Sequence, residues 1–126
     1  MTTDEIPFAR LLGIEAESVE PGHAVLSMKI RQDLLRNGGI AHGGAIAALI
    51  DSAMAFAIVP LLSENERTTT VDLTIHYLRP LTEGSARASA RVVRAGRRII
   101  TVSAELFDSQ EKLAATALST YLRLSV

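Results

Sequence analysis

The run from Ala45 to Val59 constrains the fold more than any other feature, because 13 of its 15 residues are apolar and only Asp51 and Ser52 interrupt it. Gly43 and Gly44 precede the run and Pro60 follows it. A spanning helix needs about 20 apolar residues, so this length predicts a buried helix inside a soluble domain rather than a membrane segment. A helix that is apolar on every face must be surrounded by other structure, and its alanines let that structure approach closely.

After the helix the pattern changes from helical to alternating. From Thr68 to Leu78, Val71, Leu73, Ile75 and Tyr77 alternate with Thr70, Asp72, Thr74 and His76, which predicts a half-buried strand with those two sets on opposite faces. Three more strands are expected at about Ser85–Arg94, Ile99–Phe107 and Leu113–Leu124, completing an antiparallel meander. Before the helix, Glu15–Glu20 and His23–Ile30 flank the turn dipeptide Pro21-Gly22 and predict a hairpin. A short helix is expected at about Asp4–Leu12. The resulting fold class is α+β, with about six strands curled around one long helix and with Ala86, Ser89, Ala115 and Ala117 giving it clearance. An open edge strand in such a sheet favours pairing with a second subunit.

Charge and composition narrow the function. Thirteen Lys plus Arg balance 14 Asp plus Glu, so no general field for nucleic acid exists. With no cysteine and only three unpaired histidines, His23, His42 and His76, no metal site is expected. Residues 1–126 read as a single domain, and the acidic start with Asp4 and Glu5 shows no signal-peptide pattern, giving a cytoplasmic expectation.

Asp51 is the most informative residue, since an acid within an apolar helix must lose hydration unless it meets a cleft, an interface or a hydrogen-bond partner. Position alone leaves a functional and a structural role equally open. The segment Asn37-Gly-Gly-Ile-Ala-His42-Gly43-Gly44 ends where the helix begins, and free amides at a helix N-terminus suit an anion or a polarised carbonyl oxygen. Gly43 and Asp51 are eight residues apart, about 12 Å along a straight helix. An acid and an oxyanion donor acting on one carbonyl must lie much closer, so if both are catalytic, two subunits must supply them. Arg87, Arg91, Arg94, Arg97 and Arg98 form a basic segment around Gly96, suited to bidentate phosphate contacts or simply to a solvated strand face.

The segment His42-Gly-Gly-Ala-Ile-Ala-Ala-Leu-Ile-Asp51 resembles the signature of the PaaI-like family of hotdog-fold acyl-CoA thioesterases, and Thr70–Pro80, Gly96–Arg98 and Ile100–Phe107 resemble that family's later strands. The resemblance implies a hotdog fold, a homodimer joined edge to edge, a homotetramer built from two dimers, and hydrolysis of an acyl-CoA without cofactor or metal. It implies that Asp51 is general base or nucleophile, that the Gly43 amide polarises the thioester carbonyl, that His42 supports the loop and that Thr70 places water. Asn37 is carried over as a further catalytic candidate; it lies five residues before His42, whereas the family's Asn lies six before it, where this chain has Arg36. Gly44, Arg94, Gly96, Arg97 and Arg98 are the expected CoA contacts, and Leu49, Met54 and Phe56 the expected acyl-pocket lining. Enoyl-CoA hydration on this fold uses a closer Asp and His than His42 and Asp51, and a non-catalytic acyl-CoA-binding protein would have no need of Asp51.

Overall fold

A computed structural model describes all 126 residues, Met1–Val126. A 3-10 turn at Thr3–Glu5 leads into α1 (Pro7–Leu12). The single N-terminal helix expected from sequence is thus broken at Ile6, which is extended at φ −105° because the residue before a proline is disfavoured in the helical region. The hairpin of β1 (Ile14–Glu20) and β2 (His23–Lys29) turns at Gly22, where φ is +83°. Then come α2 (Gly43–Ile58), β3 (Glu66–Tyr77), β4 (Ser85–Ala95), β5 (Ile99–Phe107) and β6 (Leu113–Ser125).

All six strands form one antiparallel sheet in the order β1-β2-β4-β5-β6-β3. The meander therefore comprises only β4, β5 and β6, and β3 pairs with β6 rather than with its sequence neighbour β4. The segment joining β3 to β4 contains Pro80 and is too long for a tight hairpin. It crosses the end of the sheet instead, tied by Leu78 N–H to Ala114 O (2.8 Å), Ala41 N–H to Leu81 O (2.7 Å) and Ile30 N–H to Gly84 O (2.7 Å). β3 is left as an edge strand, and Val71, Tyr77 and the adjoining Leu78 are each more than half exposed.

The sheet wraps α2, whose Ile46, Leu49, Ile50, Ala53, Met54 and Phe56 are buried against it. Ala86, Ala88 and Ala90 of β4 face the helix with no exposed surface, so the backbones approach closely there. Ser89 lies on the opposite face, where its Oγ sits 3.1 Å from His23 Nε2, and so does not provide the clearance expected of it. Leu49, Met54 and Phe56 are core residues, at most 2% exposed, and not pocket lining. Together with a following 3-10 turn, α2 forms a 19-residue stretch, Gly43–Leu61, long and apolar enough to cross a membrane by composition, but it is the core helix of this fold.

Because the helix-facing side of β4 is sealed by alanine, enlarging it overpacks the interior. Ala88→Leu is expected to lower unfolding free energy by about 1–3 kcal/mol. Urea denaturation checks this, and an unchanged midpoint would show that the sheet can open locally without loss.

Candidate active site

Asp51 occupies the third turn of α2, on the side where the packed face gives way to small residues such as Ala47, Ala48 and Ala55. Thr70 Oγ1 donates to Asp51 Oδ1 at 3.0 Å, and the Tyr121 hydroxyl donates to the same oxygen at 2.5 Å. The Tyr121 oxygen also lies 3.0 Å from the Asp51 carbonyl oxygen. Oδ2 has no hydrogen-bond partner within the chain. Tyr121 is only 2% exposed, and burial, followed by the Asp51 carboxylate, pushes its phenol far above its ordinary range, so it stays a protonated donor.

A β-bulge delivers Thr70 to this position. Thr70 pairs with Tyr121 and Asp72 with Thr120, which leaves Val71 as the extra residue. Beyond the bulge Leu73 pairs with Ser119 and Ile75 with Ala117, so Thr70 shares the helix-facing side with Leu73, Ile75 and Tyr77. Strict alternation had placed it on the other face. The bulge is held by Thr120 N–H donating to Asp72 Oδ1 (3.0 Å) and by the Ser119 hydroxyl donating to Asp72 O (2.5 Å).

At the other end of the helix, His42 is the N-cap, and its Nδ1 accepts from the Gly44 amide at 2.8 Å. The Ala45 and Ile46 amides point to the His42 carbonyl oxygen at 3.0 and 3.3 Å. Of the first four helix amides only that of Gly43 remains without a partner. The Gly44 amide, expected as a substrate contact, is occupied by His42. A side chain at Gly44 would place Cβ 3.0 Å from His42 Nδ1, so glycine there makes room for the cap. The Tyr77 hydroxyl donates to Gly43 O at 2.8 Å.

Beside Gly43 lies a cavity of about 300 Å³, lined mainly by Ile46, Tyr77, Leu81 and Leu106, with Arg36 and Arg79 at its polar side. Asn37 is exposed at the tip of a tight loop formed by Gly38 and Gly39, both at positive φ, and does not line this cavity. Arg36 takes that position, and its Nη1 donates to the Asn37 carbonyl at 3.2 Å.

The basic turn lies at the Asp51 end. Ile100 pairs with Tyr121, and Arg123 on β6 clasps the turn: its amide donates to Arg98 O (2.8 Å) and its Nε to Gly96 O (3.0 Å). Arg123 also donates through Nη1 to Glu66 at 3.0 Å. The Ser63 amide and then Arg123 hold the Glu66 carboxyl below its usual range. Arg94, Arg97 and Arg98 are exposed. A Cβ at Gly96 would meet Ile99 O at 2.7 Å, so the turn requires glycine. A groove of about 650 Å³ lies past the C-terminal half of α2 and the start of β3, lined by Ala55, Val59, Leu62, Glu66, Arg67 and Thr68.

Residues 38–115, well over half the chain, match the thioesterase superfamily. The chain belongs to this family. It is 32% identical, over 93% of its own length and 85% of the relative's, to the medium/long-chain acyl-CoA thioesterase YigI of Escherichia coli. Among solved structures, a mutant of the phenylacetic acid degradation protein PaaI from Thermus thermophilus superposes with a TM-score of 0.87 at 35% identity, covering 94% of this chain and 99% of that one. Protein PA5202 of Pseudomonas aeruginosa superposes with a TM-score of 0.86 at 30% identity, covering 94% of each chain. The protein is a thioester hydrolase of the PaaI-like, hotdog-fold type.

Three residues of this thioesterase's candidate site escaped the sequence: Tyr77, Tyr121 and Arg123. The chain has only two tyrosines, and each donates to one of the helix positions singled out for chemistry. A buried phenol needs a partner, which is the signal that would have flagged Tyr121 once its strand face was known.

Removal of the cap tests the amide arrangement. His42→Ala is expected to lower stability by about 0.5–2 kcal/mol, as for other N-cap losses. Thermal or urea unfolding checks this, and an unchanged midpoint would show that the Nδ1 contact does not stabilise the helix start.

Proposed function

We propose that this thioesterase hydrolyses acyl-CoA, with Asp51 as general base and the Gly43 amide of a second subunit as oxyanion donor. The observation that carries the reading is the asymmetric binding of the Asp51 carboxylate: Oδ1 accepts two hydroxyl hydrogen bonds while Oδ2 stays free to take a proton. Thr70 commits its proton to Oδ1, which leaves its oxygen lone pairs to accept from a water beside Oδ2.

In the reaction, the water oxygen attacks the thioester carbonyl carbon as Oδ2 removes one of its protons. The Gly43 N–H stabilises the oxyanion that forms. Collapse of the tetrahedral species breaks the C–S bond, and the thiolate of CoA takes the proton from Asp51. The products are a free acid and CoA, and no cofactor enters. CoA is the handle of the substrate: its phosphates suit the exposed Arg94, Arg97 and Arg98 with Gly96, and the groove past Ala55 and Thr68 suits the arm leading to Asp51. The description of YigI as an acyl-CoA thioesterase supports this substrate class.

Distance supports the two-subunit site. Tyr77, bonded to Gly43, pairs with Ala115 on β6, while Thr70, bonded to Asp51, pairs with Tyr121 further along the same strand. The helix itself separates the two by about 12 Å. The unpaired edge of β3 is the proposed seam of a homodimer, which would pair further into a homotetramer acting in the cytoplasm.

Asp51→Asn keeps the shape but removes the base, so kcat is expected to fall about 100-fold or more with KM little changed. Steady-state release of free thiol from acyl-CoA measures this, and turnover near that of the wild type would overturn the mechanism. The shared site is tested by complementation. His42 is extended at φ −62°, ψ 133°, which suits a following proline, and proline is well tolerated at the first helix position. Gly43→Pro therefore deletes the amide donor without breaking the helix. Mixed with Asp51→Asn subunits, it should regain up to half the wild-type activity per heterodimer, because one site collects both lesions. Folded heterodimers without activity would place the whole site within one chain.

A further inference from the structure

The geometry points to Tyr121 as a positioning residue that acts through Asp51, fixing which carboxylate oxygen meets the water. The inference rests on the reading of Asp51 as the base and adds a residue to it. Tyr121 reaches Asp51 from β6, whereas Thr70 reaches it from β3, so the two donors come from adjacent strands onto a single oxygen. One donor alone would leave the carboxylate free to turn about its Cβ–Cγ bond and exchange its oxygens. Two donors on Oδ1, with the Tyr121 oxygen also beside the Asp51 carbonyl, fix both the rotation and the height of the group on the helix.

The surroundings make this contact specific. On the same face of β6, Ala115 and Ala117 offer no acceptor side chain, and the nearer Ser119 directs its own hydroxyl proton to Asp72 O, while the Tyr121 hydroxyl is directed to Asp51. With 2% of its surface exposed, the phenol has no access to bulk water as an alternative partner. Phenylalanine fills the same space, so Tyr121→Phe removes the hydroxyl and leaves the packing in place.

A positioning role predicts a particular kinetic pattern. Tyr121→Phe should lower kcat about 10-fold or more while leaving KM for acyl-CoA within about 2-fold. In an Asp51→Asn background the same change should have little further effect, because the group it positions no longer acts. A purely structural role would instead multiply the two losses, raising KM and lowering kcat together with the melting temperature. Site-specific 3-fluorotyrosine at this position keeps the donor and the volume, and should restore turnover to within a few-fold of the wild type.

Wild-type kcat in Tyr121→Phe, equal losses in both backgrounds, or failure of the fluorotyrosine rescue would each overturn the inference. Failure of the base assignment is separately visible. If Asp51→Asn retains turnover, that assignment falls and the role of Tyr121 falls with it. If Asp51→Asn is inactive while Tyr121→Phe is not, Asp51 stands and Tyr121 alone is rejected.

Discussion

A carboxylate on a helix of small and apolar residues needs donors in place of the water it gives up there, and at Asp51 two hydroxyls supply them. The rest of the architecture is what brings those hydroxyls together. Thr70 and Tyr121 become neighbours only because β3 lies beside β6, and that adjacency exists only because the chain carries β3 to the far edge of the sheet before returning for β4. The bulge at Val71 then turns Thr70 inward. Had β3 paired with β4 in a simple meander, the acid would have faced Ala86, Ala88 and Ala90, which offer no donor.

Helix α2 carries both candidate groups of the proposed site and packs along its length. At its start, His42 satisfies the Gly44 amide and its carbonyl takes the next two, so the one remaining donor is that of Gly43. The helix dipole reinforces this donor, since the partial positive charge of the N-terminus falls off within the first turn. That range excludes Asp51 in the same chain. A helix long enough to fill the sheet thus separates its own amide from its own acid, and in the proposed dimer an antiparallel second helix supplies the missing group.

Much of this was legible in the sequence because it depends on local pattern. The apolar run located the core helix, the turn dipeptide Pro21-Gly22 located the hairpin, and the strands lie within a few residues of the positions read from alternation. Strand order was not legible, because alternation reports which face a residue takes and is silent on which strand lies beside it. The face of Thr70 was misread for a related reason: a bulge shifts the phase by one residue, and Val71 carries no glycine or proline to announce it. Asp51 and Gly43 stood out as chemical oddities in their surroundings. Tyr121 did not, since a tyrosine in a strand is ordinary until its hydroxyl is seen against a carboxylate.

The loop before His42 follows the count along the chain: Arg36, six residues before His42, lines the cavity beside Gly43, and Asn37 does not. Two successive glycines at positive φ follow Asn37 and turn the chain sharply. The bond from Arg36 N–H to Ile40 O (2.8 Å) closes the loop with Asn37 at its tip, so the cavity beside Gly43 receives a guanidinium instead of a carboxamide. A guanidinium carries a permanent positive charge and offers only donors. Lining the same cavity as Gly43, it adds positive charge to this end of the helix, which suits the oxyanion of the proposed hydrolysis.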